Sequence, residues 1–111
     1  MSEQQWDILY YVSENGRIPF REWFEALRDY NARTVIDARL TRLNAGNFGN
    51  CQSVGDGVFE FKINYGPGYR IYFGNTSTTV ILLLCGGDKS TQQKDIQIAH
   101  YYWQHFKEKH R

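Results

Sequence analysis

Between Val58 and Gly74 the chain reads Val58-Phe59-Glu60-Phe61-Lys62-Ile63-Asn64, then Tyr65-Gly66-Pro67-Gly68, then Tyr69-Arg70-Ile71-Tyr72-Phe73-Gly74. Two alternating runs flank a turn rich in glycine and proline, which is the signature of a β-hairpin. Side chains alternate across a strand, so Phe59, Phe61 and Ile63 share one face and Glu60, Lys62 and Asn64 the other. In the second run Tyr69, Ile71 and Phe73 go with the core, whereas Arg70 and Tyr72 point away from it. Pairing the runs gathers Glu60, Lys62, Arg70 and Tyr72 on one polar face.

Residues 78–85, Thr78-Thr79-Val80-Ile81-Leu82-Leu83-Leu84-Cys85, are largely a continuous apolar run. Such a run is expected as a strand covered on both faces, at the centre of the sheet. Upstream, residues 6–12 are rich in β-branched and aromatic side chains and stop at Ser13-Glu14-Asn15-Gly16, giving a first strand. Pro19 suits the first position of a helix that aligns Phe20, Trp23, Phe24 and Leu27. A second helix, with Asn31 as its cap and Gly46 as its end, carries the stripe Ala32, Val35, Ile36, Leu40 and Leu43. Arg39 falls in or beside that stripe and is expected to snorkel. Residues 47–57 hold three glycines and no period, and read as a loop. Past Gly86-Gly87, which serve here as a turn, Ser90 and Gln93 match a capping box, and Ile96, Ala99, Trp103 and Phe106 recur at helical spacing to about Lys107. The order β-α-α-β-β-β-α describes an α+β fold.

A chain of 111 residues with 16% aromatic side chains suffices for one domain with one core. Met1-Ser2-Glu3-Gln4-Gln5 lacks the basic start and apolar run of a signal peptide, and no apolar stretch approaches membrane length, so a soluble cytoplasmic protein is expected. Cys51 and Cys85 have no metal-type spacing and read as reduced thiols, and His100, His105 and His110 form no metal set. The net charge of +1 hides an asymmetry: residues 1–30 hold three basic and six acidic groups, residues 61–111 seven basic and three acidic. The positive field belongs to the C-terminal half, a disposition that can mark a nucleic-acid surface, although a pI of about 7.8 is modest for one and charge alone favours a merely solvated surface.

Basic and aromatic groups on rigid strands suit cleavage of RNA by its own ribose 2′-hydroxyl, with no metal or other cofactor. The site must hold the phosphate, offset its developing charge and move two protons. Arg70 offers a fixed guanidinium fork, and Lys62 and Lys89 offer mobile ammonium groups, Lys89 just ahead of the last helix. Proton transfer falls to Tyr65, Tyr69, Tyr72, Glu60 or a lysine, and the sequence does not choose among them. The plainer account is a solvated strand face in which Glu60 is a charge partner for Lys62.

The segments 54–63, 65–73 and 82–92, above all Tyr65-Gly66-Pro67-Gly68-Tyr69-Arg70 and Gly86-Gly87-Asp88-Lys89-Ser90-Thr91-Gln92, resemble the addiction-module killer group of the RelE/ParE superfamily, HigB-like toxins of type II toxin-antitoxin modules. The resemblance runs from about Ile18 to about Gln104. It implies a curved, antiparallel-rich sheet packed by helices and an endoribonuclease that inhibits translation by cutting mRNA, either free or on the ribosome. It implies as partner an antitoxin with a helix-turn-helix DNA-binding fold; acidic or disordered segments of such a partner could cover a basic cleft, which makes the Lys62/Arg70/Lys89 face a candidate part of the antitoxin surface. Basic residues of the group match Lys62, Arg70 and Lys89, with arginine common where this chain has Lys62, an exchange that keeps charge but loses bidentate geometry. Two other classes share the fold: ParE-like inhibitors that bind DNA gyrase without catalysis, and inactive partners that act only in transcriptional autoregulation.

Overall fold

The computed structural model describes residues 5–77 and 79–110. The N-terminal residues 1–4 and Thr78, with which the apolar run was taken to begin, lie outside them. The elements run β1 (Asp7–Tyr10), α1 (Pro19–Glu25), α2 (Tyr30–Asn44), β2 (Cys51–Ser53), β3 (Val58–Ile63), β4 (Tyr69–Ser77), β5 (Val80–Asp88), a single 3₁₀ turn (Lys89–Thr91) and α3 (Gln92–Lys109). The fold is α+β, with a five-stranded sheet in the order β1-β5-β4-β3-β2. Three of its pairings are antiparallel, and β1 joins β5 in parallel. No helix among the described residues is long and apolar enough to cross a membrane.

The hairpin forms as its sequence predicts, with Glu60 opposite Tyr72, Lys62 opposite Arg70 and Ile63 opposite Tyr69. Gly66 (φ 56°) and Gly68 (φ 80°) take left-handed conformations in the connection, which glycine adopts at no steric cost. The strand β5 is interior, yet β4 holds the central place. A register shift between Tyr72 and Phe73 leaves Leu84 as the extra residue of a bulge, so Leu84 and Cys85 both fall on the α3 side.

Helices cover both faces. Toward α1 and α2 lies an apolar core with Phe20, Ile36, Leu43, Phe61, Ile63, Ile71 and Leu83 at its heart. Toward α3 lies a second cluster containing Tyr11, Val58, Tyr72, Leu82, Leu84, Ala99 and Trp103. This second layer corrects the expectation that Arg70 and Tyr72 point away from the core. They do leave the first core, but α3 roofs that face, and Tyr72 is 0% exposed, Glu60 1% and Arg70 5%.

Close approach explains the strand glycines. A Cβ on Gly74 would overlap the Trp103 ring, one on Gly86 the Trp23 ring, and one on Gly87 the Asp95 carboxylate. Gly86 and Gly87 therefore continue β5 and admit side chains from both layers; they do not turn the chain.

The caps differ from expectation in the same local way. Asp29, two residues ahead of Asn31, has the extended backbone of a cap (φ −84°, ψ 101°) and accepts from the Asn31 and Ala32 amides at 3.0 and 3.2 Å. Asp88 and Thr91 form the reciprocal box expected of Ser90 and Gln93, because a 3₁₀ turn precedes α3. At the far end of α2, Gly46 donates to Leu43 O and Asn47 to Arg42 O, closing the helix as a Schellman motif. Half-buried Arg39 lies beside the stripe, consistent with a snorkelling side chain. The stretch 47–57 was expected to be all loop, yet it includes β2, which is too short to show a period and is held as an edge strand by Phe61, Glu60 and Phe59.

Candidate active site

Where β2, β3 and β4 meet the start of α3 there is a cleft of about 170 Å³ lined by Asn50, Gln52, Glu60, Lys62, Arg70 and Gln92. Glu60 is its pivot. The Glu60 Oε2 accepts from Tyr72 Oη at 3.0 Å and Gln92 Nε2 at 2.8 Å, and Oε1 accepts from Gln52 Nε2 at 3.3 Å. Arg70 Nε lies 3.6 Å from Oε2, close enough for attraction but too far for a hydrogen bond, and that buried nitrogen has no hydrogen-bond partner. Arg70 Nη1 donates to Gly68 O at 2.9 Å. The guanidinium is thus pinned at one end by the turn and drawn at the other by a carboxylate.

Lys62 lies opposite Arg70 in register, half-buried on the wall of the cleft. Lys89 is exposed and approaches from beyond β5: a Cβ on Gly68 would meet Arg70 Nη1 at 3.4 Å and Lys89 Cβ at 3.8 Å. Among the described residues neither lysine ammonium has a carboxylate partner. Lys62 therefore adds an unneutralised cation to a buried, partly neutralised one on the cleft wall, with Lys89 beside the turn that holds Arg70, an arrangement that favours an anion.

Burial, reinforced by the Glu60 charge and hydrogen bond, pushes the Tyr72 phenol far above its ordinary range. Tyr72 is a locked donor to Glu60, and Glu60 spends its lone pairs on three neighbours. Tyr65 and Tyr69 fall on the opposite side. Tyr69 packs edge-on to Trp23 in the first core, and Tyr65 Oη donates to Asp29 Oδ2 at 3.4 Å. Burial first, then Asp29, raises both phenols. Of the seven residues proposed from sequence, the fold brings Glu60, Lys62, Arg70 and Tyr72 together, sets Lys89 beside the Gly68 turn, and leaves Tyr65 and Tyr69 behind the sheet.

No family model matches the chain. Over 82 residues it is 49% identical to an uncharacterized protein of Haemophilus influenzae, an alignment that takes in 74% of this chain and 83% of that protein. The two belong to one family. For this member of it, sequence reasoning missed Gln92 and Gln52. Gln92 closes the Gly86–Gln92 block, whose glycines drew attention first, and Gln52 lies on the short β2. Among the described residues no group of three His, Cys, Asp or Glu side chains is placed to hold a metal ion.

Proposed function

We propose that this protein is a RelE/ParE-superfamily toxin of the addiction-module killer type, a metal-independent endoribonuclease that cleaves mRNA and is neutralised by a cognate antitoxin. The observation that carries the reading is the meeting of Arg70 and Lys62 on one small polar cleft, with Lys89 beside the Gly68 turn that holds Arg70. In this reading Arg70 presents its free Nη2 to the scissile phosphate, with the turn and Glu60 fixing its plane. Lys62 and Lys89 offset charge on the phosphate oxygens as the ribose 2′-hydroxyl attacks. Glu60 and Tyr72 are positioning residues, since their polar atoms are already committed, and proton transfer falls to the lysines. The burial of Arg70 favours one second reading, a non-catalytic protein of the same fold in which the Arg70–Glu60 pair is structural.

The test is controlled expression of wild type, Lys62→Gln and Lys89→Gln without antitoxin, with growth recorded and new RNA 5′ ends mapped. Both substitutions keep the buried pair and the fold. Growth arrest with new ends in wild type, and cleavage reduced by roughly 10² in each variant, is the expected result, in line with the loss of one oriented charge-stabilising donor. Arrest with intact RNA would turn the assignment to a binding toxin, and unimpaired growth to an inactive partner.

A further inference from the structure

A second site lies at the other edge of the sheet, where the segment after β1 and the start of α1 face the outer half of α3. There a cavity of about 480 Å³, within the usual range for ligand sites, is walled by Tyr11, Tyr101, Tyr102 and His105 and rimmed by Glu14, Arg17 and Glu22. His105 stands thirteen residues along α3 from Gln92, about 20 Å by helical rise, so this is not the Glu60 cleft.

The walls are aromatic and mutually braced. Tyr11 and Tyr102 stack with centroids 4.7 Å apart at 24°, and Tyr101 meets Tyr102 at 6.0 Å and 57°. Tyr101 is 65% exposed, a large open ring face. His105 Nε2 lies 3.2 Å from Glu14 Oε1, and a carboxylate only accepts, so that nitrogen carries the proton. Nδ1 is hydrogen-bonded to Tyr11 Oη at 2.7 Å, so the ring is held at both ends. On the far rim Arg17 Nε is paired to Glu22 Oε2 at 2.7 Å. Arg17 and Glu22 neutralise each other, whereas the Glu14 carboxylate, which meets His105 through Oε1, has a side chain that is 76% exposed.

The geometry points to a binding site for a planar cation, a guanidinium group, stacked on the Tyr101 ring and forked on the Glu14 carboxylate. Tyrosine faces attract cations through the ring quadrupole, and the guanidinium plane suits both stacking and bidentate pairing with a carboxylate. Exposed Tyr10 and Val12 border an adjoining cavity that shares Ser13 with this one and is also lined by Phe106, Lys109 and His110, so a shoulder part apolar and part basic adjoins the charged pocket. The inference is independent of any ribonuclease activity.

The test is an NMR titration of the intact chain with arginine methyl ester and with citrulline methyl ester, its neutral near-isostere. Saturable shifts centred on Tyr101, Tyr102 and His105 are expected with the arginine ester and not with the citrulline ester. Glu14→Gln and Tyr101→Ala, both at exposed positions, should each weaken binding by roughly tenfold. Arg17→Gln removes a like charge and frees Glu22, and should tighten it. Saturation at micromolar ester identifies a free guanidino compound as the occupant, whereas saturation only at millimolar ester identifies an arginine side chain presented by a protein. Equal response to citrulline, indifference to Glu14→Gln and Tyr101→Ala, or weaker binding in Arg17→Gln would overturn the proposal.

Discussion

The same three strands present two different faces. Toward α1 and α2 the hairpin and β5 bury hydrocarbon and aromatic rings, and no charged side chain is buried there among the described residues; toward α3 they bury Glu60 and Arg70 beside Tyr72. Packed apolar surface is an efficient stabiliser, worth roughly 25 cal/mol per Å² removed from water. A buried ion pair is a poor one, because desolvation offsets most of its attraction, and the missing hydrogen bond at Arg70 Nε makes this pair poorer still. The first face holds the fold together, and the second gives up stability to fix a guanidinium in position.

The sharpest way to break this contrast is on the second face. Glu60→Ala leaves Arg70 buried and uncompensated, and should lower the unfolding free energy by about 3–5 kcal/mol in urea denaturation. Replacing both partners, Glu60→Met with Arg70→Met, should restore most of that loss. If the double variant were no more stable than Glu60→Ala, the pair would be a stabiliser in its own right and the contrast between the faces would fail.

On the first face, Ile36→Ala opens a cavity at a side chain with no exposure and should cost about 2–5 kcal/mol, with no partner substitution able to rescue it. Gly86→Ala forces a Cβ into the Trp23 ring and should cost about 1–3 kcal/mol, whereas alanine at open Gly16 meets no atoms and suffers only from its left-handed backbone. Thermal melts of the two variants side by side check this.

The smallest effect concerns Cys51, whose thiol burial pushes up to about 11 while its Sγ donates to Phe48 O. The thiolate is the reactive form, so alkylation at pH 8 should be slow and should quicken about tenfold per pH unit until the pH nears that value. Fast labelling at neutral pH would mean that the β2 edge opens readily.

Much of this contrast was legible in the sequence, and its limits are physical. Period-two alternation separated Phe59, Phe61, Ile63, Tyr69, Ile71 and Phe73 from Glu60, Lys62, Arg70 and Tyr72, the division the two layers show, because successive side chains of a strand alternate between its faces. Alternation is blind to what covers a face, so the polar side was expected to meet water. The clue to α3 lay in Gly74 and Gly87, which need a large neighbour to explain them, but a glycine in a strand names no partner. Tyr69 lies beside Arg70 in the chain, yet neighbours along a strand point to opposite faces and Trp23 claims it; Tyr65 lies in the connection, where alternation decides nothing, and Asp29 claims its hydroxyl. Gln52 sits in a strand of three residues, below the length at which any period shows. The caps went astray by two residues each, since Asp29 and Asp88 compete with nearby polar residues and only the backbone angles decide between them.

The seating of Trp103 over Gly74 has a spectroscopic consequence. Trp6 and Trp23 belong to the layer of α1 and α2, so Trp103 is the lone indole of the α3 layer. With Trp6 and Trp23 replaced by phenylalanine, the remaining emission reports the seating of α3 and nothing else. The protein thus carries a native fluorophore for the element that roofs Arg70, and its quenching by iodide measures how often that roof lifts.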